Sequence, residues 1–574
     1  MAAMNDDYVM NDGCAMPAPM VNILEERCTG CGECVKECPK GGFVMDRNFP
    51  VAVRLANFEA ACVGCRQCQR ACPYNCITVS GPFGGLNERT PRRNLPPAER
   101  LAGFQEVALG FSQEEAVKEA RRCLECPRPR CRDAGCPAGN DIPAMAAAIR
   151  EGDLLGALRI LTRNSNLHTV CSRVCNQTAL CEGACVYSRE GGQAVAIGQL
   201  ERFVGDWARE KGYVRVDAGV PPTGYCVAVI GSGPAGLSAA EDLARRGHAV
   251  TVYDVMPVAG GVMAWGIPDF VLPHQLVAAK VDELRFLGVQ FRLGVRLNRT
   301  DGIERLLQAG TDAVFLATGT ETEEFLDLPG RNLPGICTAT GFLRGNKLAS
   351  MFPEDFPTLS VGPTVLVIGA GSTGLHAART ARRLGAGPVF AVDPLPEDRS
   401  MISPEELAAA TDEGVHIRFG IVPTAFLGRS KVEAVEFIRM ASRRNLWGKS
   451  HLRPLRGSSF TMAADTVVVA IDGMADRDVQ AQAAAADLNG CGTLVVRNEK
   501  GQTNREKVWA AGDVVGGPGS VVAAMVAGKE AARHIDQTLR WKHLFAHEGG
   551  GSPPAQRSPR SERKFPLRLW PDGA

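Results

Sequence analysis

Two stretches of the chain repeat one pattern: a short unbroken apolar run, a glycine-rich turn, then a helical period. The first opens with Val227–Ile230, whose uniform apolarity suits a parallel strand buried on both faces. A loop carrying Gly231, Gly233 and Gly236 follows, then a predicted helix over Leu237–Arg246 and a strand over Ala249–Tyr253 that ends at Asp254. The second copy predicts a strand over Thr364–Ile368, a loop with Gly369, Gly371 and Gly374, a helix over Leu375–Leu384, and a strand over Pro388–Val392 ending at Asp393. Further helical periods run over Glu114–Arg122, Pro143–Leu161 and Gln199–Lys211. From His543 to Ala574 Gly, Pro, Ser and Arg follow one another without periodicity, which predicts a disordered tail. No apolar run approaches the ~18 residues of a membrane span.

The spacing of each loop has a chemical reason. Gly231 permits the tight turn, Gly233 lets a pyrophosphate approach the backbone, and Gly236 lets the helix pack on the strand. The helix N-terminus then faces phosphate, and Asp254 is placed for ribose hydroxyls. Gly369, Gly371, Gly374 and Asp393 repeat those roles. Two dinucleotide folds in one chain predict two dinucleotides.

At 574 residues the chain is too long for one core, and about three to five domains are expected. The net charge of +1 gives no reason to expect nucleic acid or an anionic membrane as partner. Met1 to Met20 has acidic residues and no basic start leading into an apolar run, so no secretory signal is expected and the cytoplasm is the expected compartment. Of 21 cysteines, 17 fall between Cys28 and Cys185. An odd total in a reducing compartment fits disulfides poorly. Zinc is the competing metal, but His168 is the one histidine in that region, and all-cysteine zinc sites usually come as two separated pairs. Here Cys28, Cys31, Cys34 and Cys38 are followed by Cys62, Cys65, Cys68 and Cys72, each run ending in Cys-Pro. Three thiolates of such a run reach one cube and the fourth crosses to the other. One [4Fe–4S] cluster is therefore expected on Cys28, Cys31, Cys34 and Cys72, the other on Cys62, Cys65, Cys68 and Cys38. Cys14 and Cys76 read as ordinary thiols.

The first run resembles a bacterial two-cluster ferredoxin domain. Farther on, Cys123, Cys126, Cys131 and Cys136 lead into Asn140 to Pro143, and Cys171, Cys175, Cys181 and Cys185 precede Val195 to Arg202. This stretch resembles the N-terminal cluster domain of the glutamate synthase small subunit, a unit shared with dihydropyrimidine dehydrogenase. The resemblance implies one cluster on Cys123, Cys126, Cys131 and Cys185. It implies another on Cys136, Cys175, Cys181 and a non-cysteine ligand at Glu201, with Cys171 a bystander. Two departures stand out: the gap from Cys131 to Cys136 is one residue longer than usual, and Asn176 replaces a proline. Read without the resemblance, Glu201 is a surface carboxylate.

The remainder resembles the two-dinucleotide flavoproteins, which implies FAD at the first loop and NAD(P) at the inserted second. Thr318 and Gly319 match the strand end where the chain crosses between domains, and Gly512 and Asp513 the late FAD motif whose acid contacts the ribityl chain. Gly261, with Gly266 to Pro268, matches small-subunit features beside the flavin. Where many relatives carry two arginines for the 2′-phosphate of NADPH, this chain has Asp393, Pro394 and Leu395, which predicts NADH over NADPH, with Arg399 the nearest cation that could reverse the choice. Cys226, Cys337 and Cys491 are far apart in sequence, so the clusters rather than a disulfide are the expected exit for electrons. Hydride passing to flavin and single electrons to clusters require no acid–base residue, and no catalytic side chain is assigned. His274 and His376 are expected to be structural.

The fold class expected is multi-domain α/β plus α. The plan is a flexible segment 1–20, a two-cluster ferredoxin domain 21–82, a helical [4Fe–4S] domain 83–219, an FAD domain in parts 220–345 and 476–540 around an NAD(P) domain 346–475, and a disordered tail 541–574. The function expected is an NAD(P)H-dependent FAD and iron–sulfur oxidoreductase with four clusters, exchanging electrons with a soluble ferredoxin or a partner redox subunit in a hetero-oligomer. A true glutamate synthase small subunit is the alternative, and a zinc-binding scaffold without flavin a remote one.

Overall fold

The computed structural model describes residues 20–38, 40–46, 51–55, 62–80, 88–189, 192–216, 220–297, 302–320, 325–400, 402–444, 450–471, 493–517, 519–546 and 568–571. Cys14, Cys491 and nearly all of the expected N-terminal segment lie outside them. The chain divides into two compact units. One comprises the residues up to Pro91 with Gln113–Ile160 and Gln177–Leu200; the other comprises Arg92–Ser112, Leu161–Asn176 and the chain from Glu201 onward. The stretch 83–219, expected as one domain, is shared between them.

The first unit opens with the ferredoxin block. Strand Met20–Ile23 pairs antiparallel with Ile77–Ser80, and Phe43–Met45 with Ala52–Arg54. Helices Glu33–Glu37 and Gln67–Ala71 pack on each other. The core is small and partly made of cysteine: Val21, Phe43, Ala52, Ile77 and Val79 close around Cys34, Cys38 and Cys68. The helical remainder is tied by a buried ion pair. Arg122, 1% exposed, pairs with Glu119, donates to the carbonyls of Gln193 and Ala194, and stacks on Tyr187. Glu119 also accepts from the backbone N–H groups of Thr90 and Ala196. The helix expected over Pro143–Leu161 is two helices, Ile142–Glu151 and Leu154–Asn164. Gly152, at φ +79°, closes the first with its N–H on the Ala148 and Ile149 carbonyls, as a glycine C-cap does.

The second unit holds two five-stranded parallel sheets. The first has the order Val508–Ala510, Ala313–Leu316, Cys226–Ile230, Ala249–Tyr253, Gln290–Arg292, the second Ile336–Thr338, Thr466–Val469, Val365–Ile368, Val389–Asp393, Val415–Phe419. The central strands are buried on both faces, hence their all-apolar sequence. Strand Ile336–Thr338 belongs to the second sheet, so that domain starts before 346. An antiparallel sheet of Ile421–Leu427, Ala434–Arg444, Ser450–Pro454 and Phe460–Ala463 is added, which the sequence reading did not separate. Helix Val521–Ala546 packs along helix Pro234–Arg245 and carries order past residue 540. Strand Arg568–Pro571 pairs parallel with Tyr213–Val216. The expected tail is thus corrected at 541–546 and 568–571, because helix packing and a sheet ladder supply there what periodicity did not reveal; its other residues lie outside those described.

Candidate iron–sulfur and nucleotide sites

Cys28, Cys31, Cys34 and Cys72 line one cavity. Gly30 and Gly32, at φ +73° and +74°, let the loop curl around it. The backbone N–H of Ala52 lies 3.4 Å from Cys28 Sγ, and that of Cys76 3.3 Å from Cys72 Sγ. Such donors stabilise charge on ligand sulfur. Burial, then the neighbouring Cys28, pushes the Cys34 thiol up to about 11. Cys76, buried, places its Sγ 3.0 Å from Cys72 Sγ and lines the same cavity.

Cys38 stands with the other triplet. Burial, then Cys38, Cys65 and Cys62, pushes the Cys68 thiol up to about 12. Gly42 N–H lies 3.2 Å from Cys38 Sγ and Gly64 N–H 3.4 Å from Cys62 Sγ. Among the described residues no three His, Cys, Asp or Glu side chains gather about one point as for a single metal ion. Cys28, Cys31, Cys34 and Cys72 line a cavity instead, and a cationic cluster filling it would displace their protons.

In the helical part of the same unit, burial pushes Cys123 up to about 11 and Cys126 up to about 12; Cys131 is raised too, by burial and then by Cys185, Cys123 and Cys126. These four form the third set. The lengthened gap to Cys136 is taken up by a π-helical turn, Cys131–Gly135, which holds one residue more than an α turn. Gly135 is needed there: a Cβ would lie 2.8 Å from Cys181 Cα and from Ala184 Cβ.

Of the fourth set, Cys136 and Cys181 belong to the first unit, Cys175 and Glu201 to the second. The Cys175 thiol is raised well above its ordinary value by its hydrogen bond with Cys171, then by burial and by the charges of Cys171 and Glu201. Glu201 is 7% exposed, a buried carboxylate and not a surface one. Cys171, read as a bystander, touches Cys175. The chain leaves helix His168–Val174 extended at Cys175, with φ −68° and ψ 140°, the shape a following proline demands. Asn176 keeps that path.

The two glycine loops superimpose in their logic. Gly231 and Gly369 both sit at φ +101°, where a Cβ would strike the carbonyl oxygens of Ala317 (2.3 Å) and Ala470 (2.2 Å). Cβ atoms on Gly236 and Gly374 would lie 1.9 and 1.8 Å from the carbonyl oxygens of Gly231 and Gly369. Gly233 and Gly371 face open space, as an approaching pyrophosphate requires. At the first site a Cβ on Gly261, which sits at φ +54°, would lie 2.6 Å from Gly233 Cα, and Gly512 lies against Ala235. Gly319 turns the chain at φ +69°. Thr318 Oγ1 and Trp265 Nε1 are buried and meet no hydrogen-bond partner among the described residues. Asp254 spends its carboxylate on the chain: Oδ2 accepts from Ser232 N–H (2.7 Å) and Oγ (2.5 Å), Oδ1 from Met256 N–H (2.8 Å). Burial raises the Asp513 carboxyl at the start of helix Asp513–Gly516.

At the second site Asp393 is 7% exposed at its strand end; Oδ1 accepts from Leu395 N–H at 2.8 Å, and burial raises the carboxyl. His376, on helix Ser372–Arg383, is pushed down to about 3 by burial and Arg379, so its ring is neutral. His274 pairs with Asp269 at 2.9 Å, and Asp269 also takes the buried Lys347. The Asp269–Lys347 pair, and Phe270 under Arg379 and Arg383 at 4.5 and 3.9 Å, were missed by the sequence reading because the partners lie 78 or more positions apart.

The family models that match are the 4Fe-4S dicluster domain over residues 27–77, dihydropyrimidine dehydrogenase domain II, 4Fe-4S cluster, over 100–213, and pyridine nucleotide-disulphide oxidoreductase over 225–528. The glutamate synthase [NADPH] small chain of Halomonas elongata is 34% identical over 461 residues, covering 79% of this chain and 97% of that one. The chain belongs to the glutamate synthase small-chain family. The Escherichia coli small chain is 33% identical over 465 residues, with the same coverage of both chains. UacF of Escherichia coli is 32% identical over 546 residues, 91% of this chain and 84% of its own. This small-chain relative is an iron–sulfur, flavin-dependent oxidoreductase whose cofactors are [4Fe–4S] clusters, FAD and a nicotinamide nucleotide. No helix among its described residues is long and apolar enough to cross a membrane.

Proposed function

We propose that the chain exchanges electrons between a nicotinamide nucleotide, NADH in preference to NADPH, and a partner protein such as a ferredoxin. FAD would occupy the Gly231 site, the nucleotide the Gly369 site, and four clusters the cysteine sets. The observation that carries this is the presence of two open glycine cradles and four cysteine sets in one chain. Beyond residue 220, Cys226 and Cys337 lie in different sheets, so among the described residues no dithiol competes as the exit. When bound, flavin and nicotinamide supply the hydride and single-electron chemistry; the chain orients the rings and sets the potentials. Reduced cysteines and clusters suit the cytoplasm.

The NADH preference rests on Asp393, since a carboxylate at that strand end accepts from a 2′-hydroxyl and opposes a 2′-phosphate. The small chains of the family named above carry NADPH in their names, so the two alternatives are well posed. Anaerobic rapid mixing of the cluster-loaded protein with each nucleotide tests it. NADH should bleach the flavin first, and Asp393→Ser should narrow the gap by about tenfold. Faster bleaching by NADPH would overturn the preference. A second reading, supply of electrons to a glutamate synthase large subunit, is favoured by the 97% coverage of the Halomonas chain. The ferredoxin block, which an ordinary small subunit does not need, argues for the first. Rapid oxidation of the reduced protein by a ferredoxin would support it.

A further inference from the structure

One cation joins two of the cysteine sets in the first unit. Lys40 follows Cys38 by two positions, and its Nζ donates to the carbonyl of Leu124 at 2.5 Å, inside the loop that carries Cys123 and Cys126. The surroundings hold this geometry: Arg128 donates to the Val35 carbonyl at 3.1 Å, and Arg130 pairs with Glu37 at 2.9 Å. The ferredoxin block therefore meets the loop of the third set on the side of Cys38. Cys31, of the other ferredoxin set, is exposed to solvent, as is Tyr74 beside it.

We propose that Lys40 is the positioning cation for electron crossing between the cluster on Cys123, Cys126, Cys131 and Cys185 and that on Cys38, Cys62, Cys65 and Cys68. The cluster on Cys28, Cys31, Cys34 and Cys72 is then the outermost, where electrons enter or leave. The step is one electron: one cluster is oxidised, the other reduced, and no bond forms or breaks. Each cluster with its thiolates is an anion, more so when reduced, and a fixed ammonium between them favours the added electron. At ~10 Å and an effective dielectric of ~20 this amounts to about tenfold in electron affinity. The inference rests on the assignment of clusters to these sets.

The test uses the full chain, purified anaerobically with its clusters, as wild type, Lys40→Gln and Lys40→Arg. Gln keeps a donor for Leu124 without the charge, and Arg keeps the charge. A mediated titration with dithionite, followed by paramagnetic resonance, needs no nucleotide. Gln should lower the midpoint of one or both joined clusters by the equivalent of about tenfold in electron affinity, leave the outermost cluster unmoved, and Arg should restore it. Unchanged midpoints in the Gln variant, or a shift confined to the outermost cluster, would overturn the proposal. With NADH, flavin bleaching should keep its rate in the Gln variant while cluster reduction slows. Absence of bleaching in the wild type would sink the functional reading and leave the titration result standing.

Discussion

Gly371 and Gly374 separate a ligand requirement from a folding requirement. A Cβ on Gly374 would lie 1.8 Å from a backbone oxygen that cannot move, so Gly374→Ala should destabilise by about 1–3 kcal/mol and lower the melting temperature. A Cβ on Gly371 meets nothing, so Gly371→Ala should melt like wild type yet raise the KM for nicotinamide nucleotide, because the methyl fills the pyrophosphate's approach. Equal melting losses in both variants would show that the second loop is structural only. The spacing of these glycines was legible in the sequence, since turn, approach and packing each demand one at a fixed offset. The use of Asp254 was not. Its acid position was readable, but the closure of both oxygens on Ser232 and Met256 depends on the turn's final geometry.

At the scale of elements, helices are locked to loops by buried charges that no periodicity announces. Glu413, 1% exposed, accepts from Arg379 at 2.6 Å and Arg383 at 2.5 Å, and both cations lie over the Phe270 ring. Phe270 lies two positions past the Gly266 to Pro268 motif, so helix Ser372–Arg383 of the nucleotide fold is tied to the segment beside the expected flavin. Burial would raise the Glu413 carboxyl, but the two arginines outweigh it and hold it below its ordinary 4.5. A carboxyl depressed on folding stabilises fully above its unfolded value, and that contribution is lost as pH falls below 4.5 toward the folded value. Wild-type stability should therefore decline below about pH 4.5 more steeply than that of Glu413→Gln, which starts lower; parallel melting curves against pH would contradict this. The Glu119–Arg122 pair carries a larger penalty. Glu119→Ala leaves a guanidinium that is 1% exposed without its carboxylate, and a loss of about 3–5 kcal/mol is expected, read by chemical denaturation of the first unit. Arg122→Met strands the buried Glu119 carboxylate in turn, so Glu119→Gln combined with Arg122→Met, which leaves no buried charge, should cost less than either single truncation.

Across the whole molecule the two units are stabilised by different means, and this was half legible. The cysteine spacings gave the expected cluster sites, and the apolar runs revealed both parallel sheets. The division of Cys136 and Cys181 from Cys175 and Glu201 was hidden, because contiguous sequence had to be shared between units. The ferredoxin core is a handful of apolar residues closed around cysteines, whereas each sheet of the second unit has a large apolar cluster of its own. Removing iron should then unfold the ferredoxin block, since the buried thiols lose the cation that offsets their desolvation and small cores seldom stand alone. The second unit keeps its cores and its glycine cradles. Anaerobic chelation should abolish the lower of two calorimetric transitions, leave the upper within a few degrees, and leave NADH able to bleach the flavin while no electron leaves it. Collapse of both transitions together would mean that the second unit depends on the clusters for its fold.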